Sequence, residues 1–262
     1  MTESDGGAGA QPVLRTRGLT KRFGEMTAVD GLDLAVEPGE FRSLIGPNGA
    51  GKTTTFDLVT GALAPSDGTV EFRGEDVTPL PPHERVGRGM GRSFQLTNLF
   101  DGLTVRENVR LAAQAVHRDD LSAWDGMFRD KTAFDDIAAH TDAVLEQIGL
   151  ADRAEARAET LAYGDQRRLE IGVVLADEPS LVLLDEPTAG MSSEESRATI
   201  ALVEDVLADR SLLLIEHDID LVMEVSDRIT VLTRGQELAT GTPGEIAADA
   251  AVREAYLGGV RQ

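Results

Sequence analysis

Residues 43–55 read SLIGPNGAGKTTT, and Gly46, Gly51, Lys52 and Thr53 within them fit G-x-x-x-x-G-K-[ST]. Glycine at those positions lets backbone N–H groups turn inward around phosphate oxygens. Asn48, Gly49, Ala50 and Thr54 fill the same cradle. Lys52 has the reach to meet the β- and γ-phosphates of a nucleotide, and the Thr53 hydroxyl suits Mg²⁺. Residues 181–187, LVLLDEP, form an apolar run that ends in two carboxylates. Asp185 is placed there to bind Mg²⁺ through water, and Glu186 to polarise a water attacking the γ-phosphate. Residues 212–218, LLLIEHD, repeat the design. His217 at that strand end suits contact with the γ-phosphate and detection of its loss. A further stretch, residues 161–172 (LAYGDQRRLEIG), joins a small apolar lead to Gly164 and Asp165, which are helix-start residues. A helix start offers free N–H groups and a positive dipole end, so it suits an anion. By itself that stretch is either a capped helix or a phosphate site.

The elements that must carry these residues follow from hydropathy. Strands are predicted at 14–17, 32–36, 41–45, 69–72, 181–185, 212–216 and 229–233. Several are nearly continuous apolar runs, as buried parallel strands require. Helices are predicted at 52–60, 105–115, 135–148, 166–175, 193–207 and 243–257. The alternation predicts an α/β sheet with helices on its faces. The middle, roughly 96–160, lacks apolar strands and is rich in helix formers and charge, which predicts an inserted helical subdomain. Residues 1–11 form a Gly-rich acidic tail, and 12–262 are expected to make a single domain.

Composition narrows the class. The 262 residues carry a formal net charge of -21, which disfavours nucleic acid as a partner. Lys21, Lys52 and Lys131 are the lysines, and all other basic side chains are arginines. An acidic, lysine-poor surface points to a salt-rich, halophile cytoplasm, where the Debye length falls to about 3 Å near 1 M and self-repulsion is screened. Cysteine is absent, which excludes disulfides and thiol metal sites. No signal peptide is recognisable and the apolar runs are too short to span a bilayer, so a cytoplasmic protein is expected, peripheral on a membrane. His83, His117 and His140 suggest no site.

The order of Gly46–Thr53, Gln95, Leu161–Asp165, Asp185–Glu186 and His217 resembles that of ATP-binding cassette (ABC) ATPases, from about Leu14 onward. The resemblance implies a P-loop NTPase with a RecA-like core, an inserted helical subdomain and an N-terminal antiparallel β region. It implies ATP and Mg²⁺ as ligands. Phe23 then corresponds to the aromatic that stacks on adenine, and Gln95 to the glutamine that contacts Mg²⁺ and the attacking water. Leu161, Ala162 and Gly164 fall in the family's signature L-S-G-G-Q, which caps the γ-phosphate held by a second ATPase subunit in a head-to-tail dimer. Ala162 stands where Ser is usual, so one hydroxyl contact is missing, worth about 1.5–3 kcal/mol where nothing compensates. Tyr163 replaces Gly, Asp165 replaces Gln, and Ser192 sits where the D-loop commonly has Asp.

The signature region, residues 81–95 (PPHERVGRGMGRSFQ) and residues 241–259 (GTPGEIAADAAVREAYLGG) are similar to ATPases for branched-chain amino acid uptake. Such a resemblance implies permease subunits, an extracellular substrate-binding protein and an identical or paralogous ATPase as partners. Leu96, Leu99, Phe100 and Leu103 would form the permease docking surface. ATPases of urea or amide importers and of lipopolysaccharide exporters share much of the pattern. A soluble ABC ATPase outside transport is the more distant alternative.

Overall fold

The computed structural model describes residues 11–93, 99–116 and 130–257. Gln95 and Leu96 lie outside them, as do residues 1–10 of the predicted 1–11 tail and His117. The chain opens with antiparallel strands β1 (Leu14–Phe23), β2 (Met26–Leu32) and β3 (Ala35–Val36), followed by β4 (Phe41–Ile45) and α1 (Lys52–Thr60). Next come β5 (Asp67–Phe72), β6 (Glu75–Asp76), α2 (Pro82–Val86) and β7 (Met90–Ser93). Between β7 and the next strand the described chain is helical, with α3 (Val105–Val116), α4 (Asp130–Gln147) and α5 (Tyr163–Leu175). The remainder alternates: β8 (Leu181–Asp185), α6 (Ser193–Val206), β9 (Ser211–Ile215), α7 (Ile219–Val225), β10 (Arg228–Thr233) and β11 (Gln236–Gly241). It ends in α8 (Pro243–Ala248) and α9 (Ala250–Leu257).

One sheet has the order β11-β10-β4-β9-β8-β7, parallel except for β11. The second is antiparallel and built on β1 with β2, β3, β5 and β6. Period-two alternation explains why β8 and β9 are apolar throughout. Leu183 and Leu213 point to the core shared with α1 and the antiparallel sheet, whereas Val182, Leu184, Leu212 and Leu214 point to the core shared with α3 to α6. Both faces are covered, so the polar positions are confined to the strand ends, Asp185 and Ser211.

Several boundaries differ from the sequence expectation for local physical reasons. The strand predicted at 32–36 breaks into the end of β2 and the short β3, because Thr16 Oγ1 donates to the Leu32 carbonyl and accepts from Leu34 N. The helix predicted at 243–257 is two: Asp249 is extended, with φ -69° and ψ 125°, and its carboxylate accepts from the N–H groups of Ala251 and Val252. A capping box between Thr242 and Glu245 starts the first of them. Strands β7 and β11 and helix α7 were not anticipated, being short or amphipathic runs that only the sheet and neighbouring helices bury.

Arg85 on α2 is 1% exposed and fixes the C-terminal end of α1. Its guanidinium donates to the carbonyls of Leu58 and Val59 in the last turn of α1, and to those of Thr78 and Leu80. Of these acceptors, the Leu58 carbonyl also takes the N–H of Gly61 at the helix end, at 3.3 Å. Arg85→Ala leaves several buried acceptors unpaired and is expected to cost about 3 kcal/mol. The check is a lower urea unfolding midpoint with an unchanged slope.

Candidate nucleotide site

Parallel pairing of β4, β9 and β8 brings their C-terminal ends to one edge, with Leu44 opposite Ile215 and Ile215 opposite Asp185. The loop after β4 folds back tightly there. A Cβ at Gly46 would lie 2.3 Å from the Leu232 carbonyl oxygen, and one at Gly51 would lie 2.4 Å from that of Ala28. Glycine is therefore required at both positions by close approach. Helix α1 begins directly after Gly51 with no side-chain cap, so its first N–H groups are left to an external acceptor.

Asn48, Gly49, Thr53 and Thr54 line a cleft of about 520 Å³ together with Glu186 and His217. Ala50 and Lys52 line it as well. Lys52 Nζ donates to the carbonyls of Gly46 at 2.7 Å and Pro47 at 3.3 Å. Burial lowers the lysine's pKa, while Glu186 and Asp185 pull it back up. A phosphate brought to this loop would favour the charged amine in the same way.

Glu186 follows β8 directly and has φ 49°, the left-handed region that non-glycine residues rarely enter. Its N–H donates to the Ile215 carbonyl, which holds that conformation. His217 Nε2 lies 2.5 Å from Glu186 Oε1. The fastener behind the pair is Glu216, 4% exposed, whose Oε1 accepts from both the N–H and the hydroxyl of Thr188. Glu216 thereby ties the loop after Glu186 to the end of β9, a role that the apolar pattern of the strand does not signal.

Asp185 is 5% exposed, and its Oδ1 is buried without a hydrogen-bond partner. Burial pushes its carboxyl above the usual range, and Arg92 acts against that. Arg92 NH1 donates to Asp57 at 2.8 Å and to Thr60 Oγ1 at 3.1 Å, and NH2 stands 3.8 Å from Asp185 Oδ2. A buried carboxylate oxygen with no donor suits a hard cation. Among the described residues no cluster of three or more His, Asp or Glu could hold a metal by itself.

Other expected residues separate from this cleft. Phe23 is 47% exposed at the β1–β2 turn, with Lys21 Nζ 5.3 Å from its ring centroid, and it does not line the cleft; its cross-strand partner Met26 does. Arg234, unanticipated, also lines it from the β10–β11 turn, which is locked by Gly235 N donating to the Ala50 carbonyl. Leu161 buries its side chain in the core. Helix α5 starts at Tyr163 rather than at 166, with Ala162 as an N-cap that has no side-chain bond, so Gly164 and Asp165 sit inside the first turn. Asp165 pairs with Arg153 at 3.1 Å instead of capping. Ala162 and Gly164 are outside the lining of this chain's own cleft. Tyr163 donates from its hydroxyl to the Ala189 carbonyl at 3.4 Å, linking α5 to the loop after Glu186. Ser192 caps α6 through a capping box with Glu195, a task its hydroxyl performs as an Asp would. His140, expected to form no site, contacts the Ala176 carbonyl at 3.1 Å.

Residues 29–189 match the family model described as ABC transporter. The chain belongs to the ABC transporter family. Members hydrolyse ATP to power transport, and the ATP-binding cassette here is that of the family. Residues 236–261 match a second model, the branched-chain amino acid ATP-binding cassette transporter. The chain is 41% identical over 257 residues to the high-affinity branched-chain amino acid transport ATP-binding protein BraF of Pseudomonas aeruginosa, covering 95% of this chain and 99% of BraF. It is 40% identical over 254 residues to LivG of Escherichia coli K12, covering 95% and 99%. It is also similar to a crystal structure of an ATP-binding cassette of an ABC transporter in its ADP conformation, with TM-score 0.81, 29% identity and coverage of 95% and 100%. The α/β fold with its antiparallel and parallel sheets is therefore that of an ABC cassette. No described helix is long and apolar enough to cross a membrane.

Arg92 favours the ionised Asp185 more than Lys52 does, so its removal should disfavour that form. Arg92→Gln is expected to raise the Mg²⁺ concentration for half-maximal ATPase several-fold and to leave Mg²⁺-free ATP binding unchanged. Titration of both with the purified chain checks it.

Proposed function

We propose that the chain is the ATP-hydrolysing subunit of a membrane importer for branched-chain amino acids. The observation that carries the ATPase part is the meeting of Lys52, Glu186 and His217 in one cleft below an uncapped helix start. The match of residues 236–261 supports the cargo class, and the curated relatives at 40–41% identity support it independently. In this reading residues 12–262 form one cassette, and roughly 96–160 is a helical subdomain inserted in the nucleotide-binding core. Its partners are a second, identical or paralogous ATPase subunit, membrane permeases and an extracellular substrate-binding protein, and it works at the cytoplasmic face of the membrane.

The residues divide the chemistry. Backbone N–H groups of 48–54 and Lys52 hold the phosphates, with Phe23 and Met26 at the base. Thr53, Asp185 and Gln95 would hold Mg²⁺, which neutralises charge on the phosphate oxygens when bound. Glu186 orients the attacking water in line with the γ-phosphorus, and His217 positions Glu186 and detects phosphate release. Ala162 and Gly164 at the start of α5 approach the γ-phosphate of the opposite subunit. Uncapped N–H groups at that helix start support the assignment, as does the absence of Ala162 and Gly164 from this chain's own cleft. The acidic surface supports function in a salt-rich cytoplasm.

Glu186→Gln is expected to lower turnover by about 100-fold or more, in the range of lost general-base catalysis. It should also accumulate an ATP-bound dimer on size exclusion. Wild-type turnover in that variant would overturn the assignment of Glu186. ATPase activity is expected to rise with salt into the molar range, because two chains of charge -21 must meet. Full activity in dilute buffer would remove the halophile reading.

A further inference from the structure

The nucleotide cleft holds a cation to which no task has yet fallen. Lys52, Arg234 and His217 are the basic side chains that line it. Lys52 is held on the Gly46 and Pro47 carbonyls, and His217 on Glu186. Arg234 is exposed and has no ion pair or side-chain hydrogen bond among the described residues. The acid that its turn approaches, Asp30, accepts instead from Gln236 Nε2 at 2.8 Å. Thr233 pairs with Gln236, so Arg234 and Gly235 alone make the turn between β10 and β11, with φ 51° and 83°. Positive φ at both central residues is the condition of a type I′ turn, which favours Asn, Asp or Gly at the first. The same kind of turn recurs at Arg73 and Gly74 between β5 and β6, with φ 50° and 82°, and Arg73 does not line the cleft. Strain at a turn arginine is therefore no mark of a site; the place of the turn is. Gly235 N donates to the Ala50 carbonyl at 3.0 Å, and the Gly235 carbonyl accepts from Asp30 N at 2.8 Å. These bonds clamp the turn where the cleft wall of Met26, Thr27 and Ala28 meets the phosphate loop.

We infer, on the ATPase reading above, that Arg234 is a nucleotide-binding residue whose guanidinium meets the phosphate nearest the ribose. Glu186 and His217 mark the γ-phosphate end of the cleft and Met26 the base end. The junction at Ala28 and Ala50, where the turn is clamped, falls to the phosphate next to the sugar. A guanidinium is donor-only, always charged and matched in geometry to phosphate oxygens. In a chain with 46 acidic against 25 basic residues, a local cation also offsets the repulsion that a polyanionic nucleotide meets on approach. That phosphate is common to ATP and ADP. The contact therefore acts on substrate and product alike, and it changes binding rather than the chemical step.

The test compares Arg234→Gln and Arg234→Lys with Arg73→Gln, which loses the same charge from the same kind of turn away from the cleft. The full chain is titrated with ADP by calorimetry, and ATPase rates are measured against ATP. Arg234→Gln is expected to raise the Kd for ADP about 10-fold, as for loss of a charged hydrogen bond. KM for ATP should rise to match while kcat at saturation holds. Arg234→Lys should recover most of the affinity, and Arg73→Gln should bind as the wild type does. The Arg234→Gln deficit should narrow as salt rises, because an exposed ionic contact is screened. Adenosine, which has no phosphate, should bind the Arg234→Gln variant and the wild type alike. A deficit as large for adenosine as for ADP, or a changed preference for ADP over GDP, overturns the phosphate contact in favour of the sugar or the base. Wild-type ADP affinity in Arg234→Gln overturns the inference and leaves the ATPase reading intact. Failure of the wild-type chain to bind ATP or ADP overturns that reading, and the role of Arg234 with it.

Discussion

Parallel pairing of β4, β9 and β8 is the constraint on which the rest depends. A parallel ladder starts and ends its strands together, so the three loops that follow emerge at one edge. That edge carries the phosphate loop, the Asp185–Glu186 pair and the Glu216–His217 pair. Parallel strands also require crossover connections, and burial on both faces makes 181–184 of β8 and 212–215 of β9 continuously apolar. Site geometry and core composition are therefore two results of the same topology.

Polar fasteners hold the converging loops in place. The strained backbone of Glu186 is kept by its N–H bond to Ile215, and Glu216 clamps Thr188. The β10–β11 turn presses on the phosphate loop so closely that a Cβ at Gly235 would lie 2.8 Å from the Ala28 carbonyl oxygen. Strain concentrated at one carboxylate, compensated by neighbouring hydrogen bonds, is what a reactive group that must keep one orientation requires.

Two residues connect the nucleotide edge with more distant parts. Arg92 reaches Asp185 and Asp57 while also lining a concavity with Val86 and Val174, so one guanidinium is shared between that concavity and the end of β8. Tyr163 bridges the start of α5 to Ala189, with Arg167 5.5 Å from its ring centroid. Where the family pattern has a glycine, this chain has an aromatic that ties two loops of one subunit together. The contact is local and leaves the uncapped helix start exposed.

The local signals were sufficient for the catalytic edge. A glycine-lysine loop between an apolar run and a helix, and carboxylates closing apolar runs, are sequence-local features, and Lys52, Asp185, Glu186 and His217 stand where those features placed them. The overall α/β alternation was legible for the same reason, since period and hydropathy are properties of short windows. Tertiary structure decided the rest. Strand β7 and helix α2 carry too little apolar sequence to be recognised, and only pairing with β8 and the burial of Arg85 make them visible. Helix α5 begins at Tyr163, with Ala162 rather than Gly164 at its N-cap, where Leu161 packs into the core. Glu216 and Arg92 acquire their roles from residues 28 and 93 positions away, and Arg234 from a cleft whose other walls come from distant segments of the chain. Sequence determines which chemical groups a strand end presents; the sheet determines which of those groups meet, because contacts between distant segments depend on register and crossover rather than on neighbours in the chain.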